Sequence, residues 1–325
     1  MMAGTFAGNP PPLLEEPEPV KEQQTGTAAV LDTMILVNNE GAVRTAGNDN
    51  KGTAMIQLSD SDLTRLTGFL NERFGINLIK KRTLIESRLN NYLVSNGFDS
   101  FKTYLDYALS DKTGAEVSQM LNYLTTNYSY FMREWEHFKF LKERVLPEMA
   151  GVIRNNDLRT WSAGCSTGQE PYTLAMVIGD FLSEKSLKWD AKVLATDISM
   201  KALDAARRGV YDDDALKNVP AYWKLNYFRK LPDGKWEVTE ALKKEVIIRR
   251  LNLIEGEFPF KKPLHIIFCR NVMIYFNEET KKKLVEKFHR ALIPGGYLFI
   301  GQSESIDRTD GKFKLMIPSV YKKVQ

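Results

Sequence analysis

Cysteine and histidine are scarce in this sequence, which has two cysteines and three histidines among its 325 residues. A disulfide-bonded scaffold needs several cysteine pairs, and a zinc site needs closely spaced cysteine and histidine ligands. A disulfide-bonded scaffold is therefore excluded and a zinc site is not favoured, so we expect no bound metal. Cys165 and Cys269 end two predicted strands and could approach closely enough to be oxidised, but we favour two small buried residues that line a pocket.

Long apolar runs and strong charge are also missing. No run approaches the roughly 20 residues of a membrane-spanning helix, and the N-terminus lacks the basic and then apolar layout of a secretory signal. We therefore expect a cytoplasmic protein without direct membrane insertion. The net charge of +4 is mild, and no concentrated basic face is evident, so a nucleic-acid partner is not expected.

The first 55 residues differ in composition from the rest. Prolines and glutamates dominate residues 10–22, and a polar stretch rich in glycine and asparagine follows. Such a segment buries too little apolar surface to offset its chain entropy, so residues 1–55 are predicted to be a disordered tail. Its apolar patch at residues 34–37 could be a docking element, although an incidental patch is the more common case.

From residue 56 to residue 133 the apolar spacing is helical. The first of four amphipathic segments begins near Ser59, and the other three have their apolar core positions within residues 84–93, 101–108 and 117–124. Ser59 or Asp60 is the expected N-cap of the first helix. This region is predicted to be a small all-α N-terminal domain.

Strands and helices alternate from residue 134 to residue 325, which predicts an α/β domain with a mostly parallel, doubly wound sheet. The predicted strands cover residues 158–164, 191–196, 245–251, 264–269, 296–301 and 315–323. The predicted helices cover residues 134–148, 170–183, 200–208 and 278–291. A turn signal at Pro232-Asp233-Gly234 places a small inserted β-subdomain at about residues 210–245.

The stretch WSAGCSTGQEPYTLAM at residues 161–176 predicts a strand that turns into a helix over a ligand. Gly164 and Gly168 permit close approach of the backbone, but the pattern is not GxGxxG, and Glu170 would repel a pyrophosphate at the helix N-terminus. A nucleoside without phosphates is favoured. Asp197, at the end of the next strand, is placed to accept hydrogen bonds from ribose hydroxyls. Together these features suggest S-adenosylmethionine, with S-adenosylhomocysteine as product.

Three segments carry a more specific likeness: LTTNYSYFMRE at residues 124–134, SAGCSTGQEPY at 162–172 and IFCRNVMIYF at 267–276. They resemble the CheR family of chemotaxis receptor protein-glutamate O-methyltransferases, and the resemblance covers about residues 57–325. It implies a Rossmann-like class I methyltransferase sheet that uses S-adenosylmethionine to methylate glutamate side chains on the cytoplasmic helices of chemoreceptors. We also expect a monomer.

The resemblance implies site residues by their position in these motifs. Arg133 would pair with the methionyl carboxylate, Glu170 with the amino group and Asp197 with the ribose. The other implied cofactor contacts are Asn127, Ser129, Gly164, Asn252, Leu253, Cys269, Arg270 and Asn271.

Three residues form the hypothesised catalytic set. Tyr275 matches a tyrosine beside the transferred methyl group, and we expect Arg270, Asn271 and Tyr275 to orient the substrate carboxylate or to close the site. A packed aromatic side chain is the alternative interpretation of Tyr275. Because a glutamate carboxylate is already ionised at neutral pH, this chemistry needs no general base.

Receptor recognition is expected from the basic residues Lys80, Lys81, Arg82 and Arg88, for which an ordinary solvated helix face is the alternative. Two features depart from the family pattern. Ser129 stands where a threonine is expected, and the hairpin at residues 231–236 is short. The short hairpin favours an enzyme that does not bind a receptor's C-terminal pentapeptide. A methyltransferase acting on RNA or a small molecule, and a non-catalytic cofactor sensor, remain the competing hypotheses.

Overall fold

The N-terminal part of the chain is a helical bundle in the computed structural model, which describes residues 55–125 and 128–324. Its helices are α1 (Asp60–Phe74), α2 (Arg82–Ser95), α3 (Phe101–Ser110) and α4 (Ala115–Leu124). Ser59 is the N-cap of α1, as predicted, because its hydroxyl accepts a hydrogen bond from the Asp62 backbone at 3.1 Å. Leucines such as Leu66, Leu70 and Leu89 fill one shared core. The predicted tail and its patch at residues 34–37 lie outside the described residues.

The remaining helices surround a sheet. They are α5 (Trp135–Phe140), α6 (Leu146–Val152), α7 (Gln169–Glu184), α8 (Met200–Arg208), α9 (Ala221–Tyr227), α10 (Glu240–Lys243) and α11 (Glu278–Ala291). A π-helical turn at Leu141–Val145 connects α5 to α6. The predicted helix at 134–148 therefore continues to Val152.

The strands of the described chain are β1 (Thr160–Ala163), β2 (Val193–Asp197), β3 (Val210–Tyr211), β4 (Phe228–Lys230), β5 (Trp236–Val238), β6 (Val246–Arg250), β7 (Leu264–Cys269), β8 (Leu292–Ile300), β9 (Phe313–Ile317) and β10 (Val320–Lys323). Seven of them form one sheet in the order β6-β2-β1-β7-β8-β10-β9. The first five in that order are parallel, and β10 runs antiparallel to both neighbours. The mostly parallel α/β prediction is confirmed.

The prediction of one continuous strand at residues 315–323 is wrong. The chain forms the hairpin β9–β10 there, and Ser319 at the turn adopts a positive φ of 63°. A left-handed residue cannot continue a strand, so the chain reverses. Because apolar residues lie on both sides of the turn, the sequence pattern predicts one continuous strand there.

Both faces of the sheet are covered. Residues of α7 such as Val177 and Phe181 pack on one face, and Leu284 and Phe288 of α11 pack on the other. Cys165 belongs to the first core and Cys269 to the second. Both thiols are free and buried, which confirms the expected burial, and burial raises the pKa of each. Their location in different cores argues against a direct disulfide.

The predicted inserted β-subdomain is a three-stranded antiparallel sheet in the order β3-β5-β4. A tight turn joins β4 to β5, in which the Leu231 backbone donates to the Lys235 carbonyl at 2.8 Å and Gly234 has a φ of 85°. Helix α9 precedes this hairpin and buries Trp223.

The bundle contacts the sheet domain through polar groups near the ends of the strands. The Asn77 backbone donates to the Tyr275 carbonyl at 2.8 Å, and the Ser199 hydroxyl donates to Asn122 Oδ1 at 2.5 Å. Helix α1 therefore ends beside the segment that follows β7. Among residues 55–125 and 128–324 we find no helix long and apolar enough to cross a membrane.

Candidate functional site

The candidate site lies where the strand order reverses. The chain passes from β1 outward to β2 and β6 and then returns to β7, on the other side of β1. In open α/β sheets, ligands bind in the crevice at the carboxyl ends of the strands at such a point. The loops after β1, β2 and β7 carry most of the residues that the sequence singled out.

The loop after β1 is shaped by two glycines with positive φ, Gly164 at 83° and Gly168 at 101°. A Cβ atom on Gly164 would lie 2.4 Å from a methyl carbon of Val272, and one on Gly168 would lie 2.8 Å from the Tyr211 hydroxyl. Both positions therefore require glycine for space as well as for conformation. The Gly164 backbone donates to the Thr196 carbonyl at 2.8 Å, which folds this loop over the end of β2.

Asp197 ends β2, as predicted, and its carboxylate is held by backbone groups. One oxygen accepts from the Ser166 N–H at 2.8 Å and the other from the Ser199 N–H at 2.9 Å. Burial raises the pKa of Asp197, while the two backbone hydrogen bonds oppose this rise. Ser166 has a positive φ of 48°. The loop after β1 and the end of β2 are thus fixed to each other through one carboxylate.

A buried ionic cluster joins the loops after β1 and β7. The Arg270 side chain is only 2% exposed, and it contacts Glu170 Oε2 at 3.1 Å and Glu134 Oε2 at 3.0 Å. It also donates to the Arg133 carbonyl at 2.5 Å. The Ser162 hydroxyl donates to Glu170 at 2.7 Å. Burial raises the pKa of Glu170, and the positive charge of Arg270 opposes that rise.

The backbone around Glu134 is in the left-handed region, with φ of 63° at Met132 and 56° at Glu134. Non-glycine residues adopt this conformation at a cost of about 1–2 kcal/mol each, which the surrounding contacts must offset. The adjacent Arg133 guanidinium lies 4.0 Å from Glu134 and donates to the Tyr128 carbonyl at 3.3 Å. It is therefore less tightly bound than the guanidinium of Arg270.

The segment after β7 carries Asn271 and Tyr275. Asn271 has a φ of 58°, and its side chain donates to Glu134 Oε1 at 3.4 Å. Tyr275 ends a 3₁₀ turn (Met273–Tyr275) and is partly buried. The structure thus brings Arg270, Asn271 and the acids Glu134 and Glu170 together, with Tyr275 on the following turn.

The other predicted cofactor residues have varied surroundings. Asn252 donates to the Arg73 carbonyl at 2.8 Å, so its amide joins the segment after β6 to the end of α1. Leu253 and Cys269 are buried in the same core. Ser129 is partly buried, and Asn127 lies outside the described residues.

The four basic residues predicted to face a receptor are not equivalent. Lys80 and Lys81 are exposed just before α2. Arg82, the first residue of that helix, instead contacts Asp60 and the Leu58 carbonyl. Arg88 donates to the Leu124 carbonyl at 3.0 Å, and burial lowers its pKa.

Two polar residues of the cluster were missed at the sequence level. Glu134 and Ser162 both belong to the motifs that carry the family resemblance, but the sequence indicates no role for either of them. A serine buried at the end of a parallel strand is a signal that could have pointed to Ser162. Nothing in the local pattern indicates that Glu134 turns inward, because its left-handed backbone depends on distant partners.

The site combines a glycine-containing loop after β1, an acid at the end of β2 and a charged cluster where the strand order reverses. These are the features of an S-adenosylmethionine-dependent methyltransferase. Comparison with known proteins agrees. Residues 127–321 match the family described as "CheR methyltransferase, SAM binding domain", and residues 61–125 match "CheR methyltransferase, all-alpha domain". The chain belongs to the CheR methyltransferase family.

Individual relatives cover most of the chain. It is 41% identical over 280 residues to a chemotaxis protein methyltransferase of Borreliella burgdorferi, a match that spans 85% of this chain and 99% of that protein. It is 35% identical to the chemotaxis protein methyltransferase of Escherichia coli, over 83% of this chain and 93% of that protein. A glycopeptide N-methyltransferase solved with S-adenosylmethionine matches 47% of this chain and 51% of its own, with 15% identity and a TM-score of 0.28, which is too weak to carry an argument.

Proposed function

We propose that this protein transfers the methyl group of S-adenosylmethionine to glutamate side chains on the cytoplasmic helices of chemoreceptors, forming glutamyl methyl esters. The relatives named above are chemotaxis methyltransferases, which supports a receptor as substrate. The observation that carries the proposal is that the acids of the site are all engaged. Glu170 and Glu134 bind Arg270, and Asp197 binds two backbone N–H groups.

Engaged acids cannot readily serve as a general base. Among the histidines, His137 is buried beside Glu134, and burial lowers its pKa to about 4. A substrate whose nucleophile is already ionised needs no general base, and a glutamate carboxylate is ionised at neutral pH. When bound, S-adenosylmethionine would supply an electrophilic methyl group on a positively charged sulfur, which an ionised carboxylate could take up without proton transfer, with S-adenosylhomocysteine as the leaving group.

The residues present fit this cofactor. Gly164 packs against Val272 too closely for any side chain, which keeps the loop after β1 compact, and the acids Asp197 and Glu170 flank that loop. We assign Asp197 to the ribose, Glu170 to the amino group and Arg133 to the carboxylate. A guanidinium that is only partly satisfied can grip a carboxylate in two places. Asn127, Ser129, Gly164, Asn252, Leu253 and Cys269 complete the proposed cofactor set. Arg270 and Asn271, for which the resemblance also implies cofactor contacts, are assigned to positioning.

Arg270 is assigned a different task from Arg133. Its guanidinium is nearly inaccessible and already has two carboxylates and a carbonyl as partners. It would therefore act by holding Glu170 and Glu134 in place. Asn271 and Tyr275 are left to orient the substrate carboxylate and to exclude water, which is where the gain in rate must come from.

Receptor binding is assigned to the exposed end of α2, where Lys80 and Lys81 offer positive charge to a helix rich in glutamate. Arg82 and Arg88 would support this surface through their contacts within the bundle. The tight turn between β4 and β5 leads us to propose that the enzyme works without binding a receptor's C-terminal pentapeptide.

The test is transfer of labelled methyl from S-adenosylmethionine to receptor cytoplasmic fragments with and without the C-terminal tail. Base-labile methyl esters should form equally on both fragments, and Arg133→Ala should abolish labelling. Lys80→Ala with Lys81→Ala should raise the KM for the fragment in a salt-dependent manner, whereas the exposed Lys282→Ala on α11 should not. Labelling only of the tailed fragment would overturn tail independence, and no labelling of any receptor would overturn the proposed function.

A further inference from the structure

The loop after β8 approaches the segment after β7 so closely that only glycine fits between them. A Cβ atom on Gly301 would lie 2.6 Å from Asn271 Nδ2 and 2.9 Å from the Asn271 backbone nitrogen. Because β7 and β8 are parallel neighbours, their carboxyl ends lie side by side. The loop after β8 is therefore built against the segment that carries the proposed substrate-orienting residues.

Glu304 is the residue of this loop that makes the connection. Its side chain is buried, and one carboxylate oxygen accepts from the Gly301 N–H at 2.6 Å and from the Asn271 N–H at 3.0 Å. The other oxygen accepts from the Ile274 N–H at 3.1 Å. Within residues 55–125 and 128–324, no lysine, arginine or histidine forms an ion pair with Glu304. Burial raises its pKa, and the backbone hydrogen bonds oppose that rise.

These hydrogen bonds fix backbone that would otherwise relax. Asn271 has a positive φ of 58°, a conformation that a non-glycine residue keeps only when its surroundings impose it. Ile274 lies in the 3₁₀ turn that presents Tyr275, and the Tyr275 carbonyl is bound from the other side by the Asn77 N–H at 2.8 Å. One buried carboxylate thus holds both the strained residue and the turn.

We propose that Glu304 is a positioning residue for methyl transfer, which sets the location of Asn271 and Tyr275 through their backbone. The inference rests on the proposed function, because it assigns Glu304 to the same reaction. A carboxylate is required at this position, since every group that faces it is an N–H donor. Glutamine would turn an NH₂ group toward one or more of these donors and lose their hydrogen bonds.

The test compares Glu304→Gln with Asp307→Asn, a control in the same loop. Asp307 is exposed and accepts from the Thr309 N–H at 2.9 Å. With receptor fragment as substrate, we expect Glu304→Gln to lower kcat by about 10- to 100-fold. The KM and the dissociation constant for S-adenosylhomocysteine should change by less than about threefold, and Asp307→Asn should leave all three values within about twofold.

A double-mutant cycle with Asn271→Gly separates positioning from general damage. Glycine adopts the left-handed backbone without strain, so the effect of Glu304→Gln on kcat should be smaller in that background. A kcat for Glu304→Gln within about twofold of the wild type would overturn the inference. Equal losses of kcat, S-adenosylhomocysteine affinity and unfolding free energy would also overturn it, because they would indicate a merely structural role.

If Glu304→Gln does not fold, Glu304→Asp serves instead. It keeps the charge but is one methylene shorter and cannot reach both loops, so the same loss of kcat is expected. A wild-type chain that methylates no receptor would overturn both proposals. An active wild type together with a fully active Glu304 variant would overturn this one alone.

Discussion

Replacing Arg270 by methionine removes the one cation that contacts both Glu134 and Glu170 among the described residues. The two carboxylates are only 11% and 13% exposed, so water cannot replace the lost countercharge. Breaking a buried ion pair by removal of one partner typically costs about 3–5 kcal/mol, because the remaining charge stays buried. We expect a loss of that size in the unfolding free energy at pH 7.

The pH dependence of this loss has a definite sign. Burial already raises the pKa of Glu170 from its ordinary value of 4.5, and removal of Arg270 takes away the main opposing effect. A carboxyl group whose folded-state pKa is raised costs stability above its unfolded pKa, and this cost disappears as the group becomes protonated in both states. The gap between Arg270→Met and the wild type should therefore narrow as the pH falls from 7 toward 4.5.

Urea unfolding followed by tryptophan fluorescence at several pH values measures both effects. Lys243→Met is the matched control, since Lys243 also bridges two acids, Glu237 and Glu240. Glu237 keeps Arg229 as a partner and Glu240 is exposed, so this loss should stay below about 1 kcal/mol. A loss below about 1 kcal/mol for Arg270→Met, or a gap that widens on acidification, would refute the reasoning.

Three further predictions concern the crevice and the core. Gly164→Ala should weaken S-adenosylhomocysteine binding at least about tenfold by calorimetry, because its Cβ would clash with Val272. The control Gly97→Ala, at a similar φ of 76° but with open space around it, should cost only about 1 kcal/mol of stability. Equal affinities of the two variants for S-adenosylhomocysteine would contradict this prediction. Asp197→Asn should also weaken S-adenosylhomocysteine binding about tenfold, because an amide has only one oxygen that can accept hydrogen bonds. An unchanged affinity would exclude the assignment of Asp197 to the ribose. Burial lowers the pKa of His265 to about 4, so this residue should lower the unfolding free energy as the pH drops from 6.5 to 4, by about 2 kcal/mol at pH 5. His265→Gln should remove that contribution and leave the one from His137, whose pKa burial also lowers to about 4; an unaltered profile would contradict the prediction.

Much of the fold could be predicted because its signals are local. The spacing of leucines and the Ser59 cap located α1, and the alternation of strands and helices gave the mostly parallel sheet. The β9–β10 hairpin escaped prediction because the prediction gave no weight to Pro318-Ser319, a pair of residue types common in turns, and Ser319 adopts the left-handed conformation there. The spacing of apolar residues predicts secondary structure well only where that spacing, rather than a distant contact or a single turn residue, determines the conformation.

The residue types at the site could be predicted, but their partners could not. Gly164 and Asp197 follow strands, and strands that end at the same edge bring their loops together. By contrast, Arg82 and Arg88 carry the charge expected of a recognition surface, yet they bind Asp60 and the Leu124 carbonyl. Whether a basic side chain is free or engaged depends on groups far away in the sequence.

The two arginines of the site illustrate why this matters for mechanism. From the sequence alone, both Arg133 and Arg270 could bind a carboxylate. In the fold, Arg270 has its donors taken by Glu134, Glu170 and a carbonyl, and its side chain is 2% exposed. Arg133 is 29% exposed, and its polar contacts within the described part of the chain are longer, at 3.3 and 4.0 Å. A ligand carboxylate can therefore gain new hydrogen bonds from Arg133 but would have to break existing ones to reach Arg270. That difference in available donors supports the proposed roles, in which Arg133 binds the cofactor carboxylate and Arg270 orients Glu134 and Glu170.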